Sequence, residues 1–205
     1  MSKTEFPPSI KSRPVYGVLE PRPGAAHLVV ADGEGAEAVT EMVARAGDAG
    51  RVLASMQILY TPGPNGTDHS AALQALGARQ FFRAPTIPTL LPRLARVLAD
   101  AHMGTQFYLA GTEGLIGQAE RDIMATGVPY RDIQKEHRGS TLRRVQCVHC
   151  KGMTENVATD PFQCSHCGLN LFVRDHYSRR LAAFQGVNID AEDPGQVPVP
   201  VVRFT

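Results

Sequence analysis

All four cysteines of the 205-residue chain fall in two matched pairs, Cys147-Val148-His149-Cys150 and Cys164-Ser165-His166-Cys167. Two residues inside each pair allow a tight turn that presents both thiolates on one side. The segment between the pairs is long enough to bring the two turns face to face as a tetrahedral four-sulfur cage. Gly152 and Gly168 follow the pairs, where a positive φ would turn a backbone N–H back toward a sulfur. Such a cage suits zinc, its commoner occupant, or a single iron in the rubredoxin manner; iron–sulfur clusters usually take other spacings. Two disulfides would require an oxidising compartment, and no secretory signal is read before a polar, proline-rich N-terminus. A redox-active thiol pair would need one such motif at the head of a helix, not two that mirror each other. His149 and His166 are expected to point to solvent, because four sulfurs already complete a shell.

The elements that must hold this cage are read next. Thr141 to Gln146 and Gln163 are expected as short strands feeding the two turns, and Leu169 to Val173 as the strand leading out. Asp175 then caps an expected helix with Tyr177, Leu181 and Phe184 on one face and Gly186 as its left-handed stop. Arg179 and Arg180 would project from the other side. With Asp175, His176 and Tyr177 they form the candidate partner-docking surface. No second acid–base group is fixed near His176, Tyr177 and Ser178, so no catalytic residue is assigned.

Upstream, short apolar runs alternate with helical patterns. His27 to Ala31, Met56 to Tyr60, Gln80 to Arg83, Gln106 to Ala110 and Arg131 to Glu136 read as strands. Residues up to Ala46, Ser70 to Leu76, Pro88 to Ala101 and Glu113 to Thr126 read as helices, the third with Leu90, Leu91, Leu94, Val97 and Leu98 on one face. Alternation of this kind implies an α/β fold, a Rossmann-like parallel sheet with helices on both faces. Ligands of such sheets sit where a glycine turn feeds a helix N-terminus, which makes Gly33, Gly35, Gly111 and Gly114 the candidate cofactor contacts. Asp32, Glu34, Glu37 and Glu113 stand in or beside those turns. A carboxylate about 4 Å from a phosphate charge costs about 4 kcal/mol at an effective dielectric near 20, which argues for turns kept for packing and against an intact nucleotide site.

The expected organisation is an extended arm over residues 1–26, with an edge strand at Pro14 to Leu19, then the sheet domain over 27–137. A four-cysteine zinc-ribbon or rubredoxin-like module with its helix follows over 138–186, and a tail over 187–205. The tail's Val197-Pro198-Val199-Pro200-Val201-Val202 is barred by its prolines from the middle of a sheet and would lie along an edge or a partner. With 43% hydrophobic and 20% charged residues the chain is globular, and its formal net charge of +1 gives no general attraction to nucleic acid or to anionic membranes. A nucleic-acid-binding zinc ribbon is the least favoured alternative, since a real footprint gathers more basic and aromatic residues than Arg179 and Arg180 supply. No apolar run is long enough to span a bilayer, and reduced cysteines fit a cytoplasmic protein.

Two family resemblances add to this reading. Gln106-Phe107-Tyr108-Leu109-Ala110-Gly111-Thr112-Glu113-Gly114-Leu115-Ile116, with Gly127-Val128-Pro129 and Ile133-Gln134-Lys135-Glu136, resembles the last third of the nucleotide domain of ferredoxin reductases. Ala110-Gly111-Thr112 stands where that family has Cys-Gly-Pro, and 26 residues before His27 cannot hold its flavin barrel. Residues 27–137 thus resemble a degenerate reductase half. The cysteine turns together with Leu171 to Val187, Asp190-Ala191-Glu192 and Pro194-Gly195 resemble the small subunit of dimethylamine monooxygenase, the DmmA-like family. That resemblance implies an NADPH- and oxygen-dependent, multi-subunit enzyme that demethylates dimethylamine to methylamine and formaldehyde. It implies partners in a haem-containing subunit and a flavin (FMN) and iron–sulfur reductase subunit. This chain is then expected to be an accessory, non-catalytic subunit carrying Zn2+ or a mononuclear Fe at Cys147, Cys150, Cys164 and Cys167, or else a rubredoxin-like electron carrier.

Overall fold

A computed structural model describes residues 12–205, and residues 1–11 of the arm expected over 1–26 lie outside the described residues. The chain divides into two compact units, residues 16–140 and residues 12–15 with 141–205.

The first unit is a five-stranded sheet in the order β3-β2-β1-β4-β5, built from β1 (Ala26–Asp32), β2 (Met56–Thr61), β3 (Gln80–Arg83), β4 (Thr105–Gly111) and β5 (Ile133–His137). Every pairing in it is parallel. Helices α1 (Gly35–Ala44), α2 (Ala49–Ala54), α3 (Ser70–Ala75), α4 (Ile87–Ala99) and α5 (Glu113–Ala125) supply the crossovers. The central strands are apolar throughout because both faces are covered. Val29, Ala31, Ile58, Tyr60, Tyr108 and Ala110 pack with α1 residues such as Val39 and Met42, whereas Leu28, Val30, Leu59, Phe107 and Leu109 pack with Leu90, Leu94 and Leu115 of α4 and α5. The period-two alternation of strand side chains makes this two-sided core. α4 begins at a Thr86–Thr89 capping box and buries Leu90, Leu94 and Leu98, a stripe at four-residue spacing whose members each contribute about 1.5 to 3 kcal/mol.

Among the expected elements here, only the edge strand at Pro14 to Leu19 is absent. Gly17 donates its N–H to the Lys135 carbonyl at 2.8 Å, but Leu19 donates to the Glu136 carboxylate at 2.7 Å and Glu20 to the Gln134 side chain at 2.7 Å. The segment is therefore anchored to β5 through side-chain acceptors, without a backbone ladder, and Leu19 is fully buried in the core. The helix α2, capped by Asp48, was not legible in the periodicity.

The second unit is a sheet in the order β7-β6-β11-β10-β9 with a separate two-stranded pair. Its strands are β6 (Arg143–Cys147), β7 (Met153–Val157), β8 (Thr159–Asp160), β9 (Phe162–Gln163), β10 (Asn170–Ser178), β11 (Ala183–Asn188) and β12 (Val201–Val202). The expected helix from Asp175 to Phe184 is not present: the segment is the β10–β11 hairpin. Tyr177 and Phe184 are directly opposed across it, their ring centroids 5.0 Å apart and nearly edge to face. Their spacing mimics a helix face because the hairpin's turn separates two inward positions by two helical turns. Ala182, at φ 52, takes the left-handed position of the turn. Gly186 is a mid-strand residue, and a Cβ there would stand 2.9 Å from both Leu171 Cδ1 and Val145 Cγ1. Of the tail, only Val201 and Val202 pair, with Asp160 and Thr159, and Arg203 bonds the buried Asp160 at 2.9 Å.

Candidate metal centre

The two cysteine turns are built alike. Cys147 N–H donates to the Gly152 carbonyl at 3.0 Å and Lys151 N–H to the Cys147 carbonyl at 3.0 Å; Cys164 N–H donates to the Leu169 carbonyl at 2.9 Å and Gly168 N–H to the Cys164 carbonyl at 3.0 Å. The left-handed residue of each turn is the one directly after its second cysteine, Lys151 at φ 64 and Gly168 at φ 73. Gly168 takes the expected positive φ and Gly152 does not, although it is the Gly152 N–H that turns to a sulfur. Gly152 is required for a different reason: a Cβ there would sit 2.4 Å from the His166 ring. That ring is fixed by a 2.8 Å contact between its Nε2 and the Met153 carbonyl. Both His149 and His166 are exposed, as expected, although the His166 Nε2 is engaged by backbone.

All four sulfurs lie within 4.8 Å of one another. Cys147 and Cys167 Sγ are 3.9 Å apart and Cys150 and Cys164 Sγ are 3.7 Å apart, far beyond a disulfide bond of about 2.05 Å. Four sulfurs about 2.3 Å from a central zinc would form a tetrahedron with edges of about 3.8 Å, so the spacing fits a bound ion. The Gly152 N–H reaches Cys150 Sγ at 3.4 Å. Electrostatics favour the same occupant. Burial pushes the Cys164 thiol up, but N–H groups of Cys167 and His166 and the neighbouring thiols hold it down at about 6. At Cys167 the Leu169 N–H acts downward, yet desolvation and the sulfurs of Cys150, Cys164 and Cys147 carry the thiol up to about 12. Four thiolates this close cannot all ionise without a cation among them, and a divalent metal bound there would supply it.

The module's support comes from a residue the sequence reading passed over. Arg143 pairs with Asp175 at 2.9 Å while its guanidinium lies 3.9 Å from the Phe184 ring centroid and 4.3 Å from that of Phe204. Asp175 also meets Arg13 at 3.5 Å. Of the candidate docking residues, Asp175 is thus engaged internally and Tyr177 is buried, while His176 and Arg180 are exposed and Arg179 is half-buried. His176 stands at the surface because the β10–β11 register shifts between Arg174 and Tyr177.

In the parallel sheet, the candidate glycines meet at the carboxyl ends of β1 and β4, where Asp32 and Thr112 bond to each other. Asp32 accepts from Thr112 N–H at 2.7 Å and from its hydroxyl at 2.6 Å, and burial raises its carboxyl to about 6 against those two bonds. A Cβ at Gly111, φ 126, would lie 1.8 Å from Asp32 Oδ1, and one at Gly35 would lie 2.3 Å from the Ala110 carbonyl oxygen. Gly33, φ 45, approaches the Gly63 backbone, whereas Gly114 is unconstrained. Glu113 accepts from Tyr16 Oη at 3.0 Å and Glu34 from Thr67 Oγ1 at 3.3 Å. Three of the four glycines are therefore explained by close packing.

Comparison with known proteins adds the following. Residues 8–133 match the family model of the dimethylamine monooxygenase subunit DmmA-like N-terminal domain, and residues 144–187 match that of the DmmA-like C-terminal domain. The heme-dependent oxidative N-demethylase delta subunit of Ectopseudomonas mendocina (strain ymp) is 30% identical over 148 residues, covering 70% of this chain and 85% of the relative. A distant structural likeness, with a TM-score of 0.44 and 13% identity, is to flavohemoglobin from Malassezia yamatoensis with bound FAD and heme, covering 59% of this chain and 33% of that chain.

Proposed function

Since the chain belongs to the dimethylamine monooxygenase subunit DmmA-like family, we propose that it is an accessory subunit of an oxidative N-demethylase. The observation that carries this reading is the likeness to a demethylase delta subunit over 85% of that subunit's length. The reaction of the assembly is taken as dimethylamine, O2, NADPH and a proton giving methylamine, formaldehyde, water and NADP+. In this reading a haem subunit holds the reacting centre and a flavin and iron–sulfur reductase subunit supplies electrons. The part played by this chain is assembly. Cys147, Cys150, Cys164 and Cys167 hold a structural Zn2+, and the metal ties the two turns to the β10–β11 hairpin. The hairpin then offers His176, Arg180 and the half-buried Arg179 to a partner subunit. The Asp32 carboxylate at the switch point, bonded to Thr112, supports a sheet unit that scaffolds without binding nucleotide.

Expressed with its neighbouring subunits, the chain should copurify with haem and lower the complex's yield when omitted. A monodisperse, partner-free chain with demethylase activity of its own would contradict the proposal. A second reading, a single iron in the cage relaying electrons, is favoured by the exposure of Cys150, which would bring one sulfur ligand to the surface. Visible absorbance separates the two, because a four-thiolate iron is coloured and zinc is not.

A further inference from the structure

At the amino-terminal edge of the parallel sheet, opposite the glycine turns, a cleft of about 460 Å3 opens between the starts of β1 and β3 and the last turns of α4. Pockets of this volume suit small molecules. Three arginines, Arg79, Arg93 and Arg96, line it together with Asp100 and His102. Among the described residues none of the three arginines forms an ion pair. Arg96, in the last turn of α4, also suits the helix's negative end. Arg79 and Arg93 have no such duty. The Arg93 guanidinium is held over the Phe82 ring, 5.5 Å from its centroid, and its Nε is buried with no hydrogen-bond partner. Arg93 is otherwise half-buried, and with no carboxylate already paired to any of the three arginines a bound oxyanion would gain their full charge. Buried His27, also in the lining, has its Nδ1 3.3 Å from Tyr108 Oη.

We infer that this cleft is a binding site for a small polyanion with two or more negatively charged oxygens, a phosphate ester or a polycarboxylate, gripped by Arg79, Arg93 and Arg96. The site shares no residue with the cysteine cage or with the Asp32–Thr112 pair. The test is calorimetric titration of the full chain at low ionic strength with inorganic pyrophosphate and, separately, with citrate. Saturable binding at one site is expected, weakened at least tenfold in both R93Q and R79Q and unchanged in R51Q, whose arginine lines a neighbouring hollow. Arg79 is exposed, so R79Q keeps the fold and decides the matter if R93Q does not. Pyrophosphate binding alone assigns a phosphate ester, and citrate binding alone a polycarboxylate. No saturable binding of either at millimolar concentration, or equal binding by R79Q and the unaltered chain, overturns the inference.

Discussion

Gly186 lies directly beside Cys147 in adjoining parallel strands, and the residue after that cysteine, Val148, donates its N–H to the Gly186 carbonyl at 3.0 Å. The hairpin and the first cysteine turn are thus one piece of backbone. A Gly186→Ala methyl would meet Leu171 and Val145 side-chain carbons at 2.9 Å, an overpacking that costs about 1 to 3 kcal/mol. The expected outcome is a lower melting temperature together with faster loss of metal to a chelator. Melting unchanged from the parent chain would show that the strands part more easily than their packing implies.

Arg143 is the second lever on the same module. Removing it in Arg143→Ala strips the guanidinium from between Phe184 and Phe204 and leaves Asp175 with only the longer Arg13 contact. Loss of about 2 to 4 kcal/mol is expected, since the pair is mostly buried and the ring contacts go with it. Arg143→Lys should recover part of that, as a point charge without the flat face that packs between two rings. Denaturant unfolding of the three proteins would measure it; equal loss in both variants would refute the ring-packing account.

Metal removal should act on one unit only. In the first unit the core is built from strands and helices with no cysteine in it, whereas Cys147 and Cys164 are core members of the second. Chelation is therefore expected to abolish amide protection in β6, β10 and β11 while leaving β1 and β4 protected. Hydrogen exchange before and after chelation checks this, and uniform loss in both units would count against it.

The buried Asp32 predicts a pH dependence of the first unit. Its folded pKa of about 6 lies above the ordinary 3.8, so the folded state binds the proton more tightly than the unfolded one. The contribution is fully present below about pH 4 and is lost as pH rises through 6, reaching about 3 kcal/mol at 1.36 kcal/mol per unit. Asp32→Asn should remove this dependence, raising protection of β1 and β4 amides relative to the parent at pH 7 and little at pH 4. The same difference at both pH values would contradict it.

Much of this was readable from residue order, and the exceptions have physical causes. Strands buried on both faces and amphipathic helices declare themselves locally, as Leu28 to Ala31 and the Leu90, Leu94 and Leu98 stripe do, and paired cysteines can hardly be placed otherwise. The β10–β11 hairpin was misread because Tyr177, Leu181 and Phe184 have helical spacing, and only the long-range pairing of Gly186 with Cys147 overrules that pattern. Gly152 was credited with a positive φ that Lys151 takes instead. Aligning the two turns on their cysteines places Lys151 opposite Gly168, a signal that was available. Arg143 was invisible because Phe184 and Phe204 converge on it only after folding. At Asp32 the carboxylate did speak against a phosphate, but its bond to Thr112 across the switch point needed the structure.

The central claim is that this chain joins a haem-containing demethylase as a metal-braced, non-catalytic subunit. Elemental and haem analysis of the complex purified through this chain tests it most directly. The account predicts one zinc per copy of this chain, haem present in the same particle, and loss of both the metal and haem copurification when Cys147 and Cys164 are replaced by serine. A chain that purifies without haem, or whose haem partner stays bound when the four-sulfur site is destroyed, would contradict it.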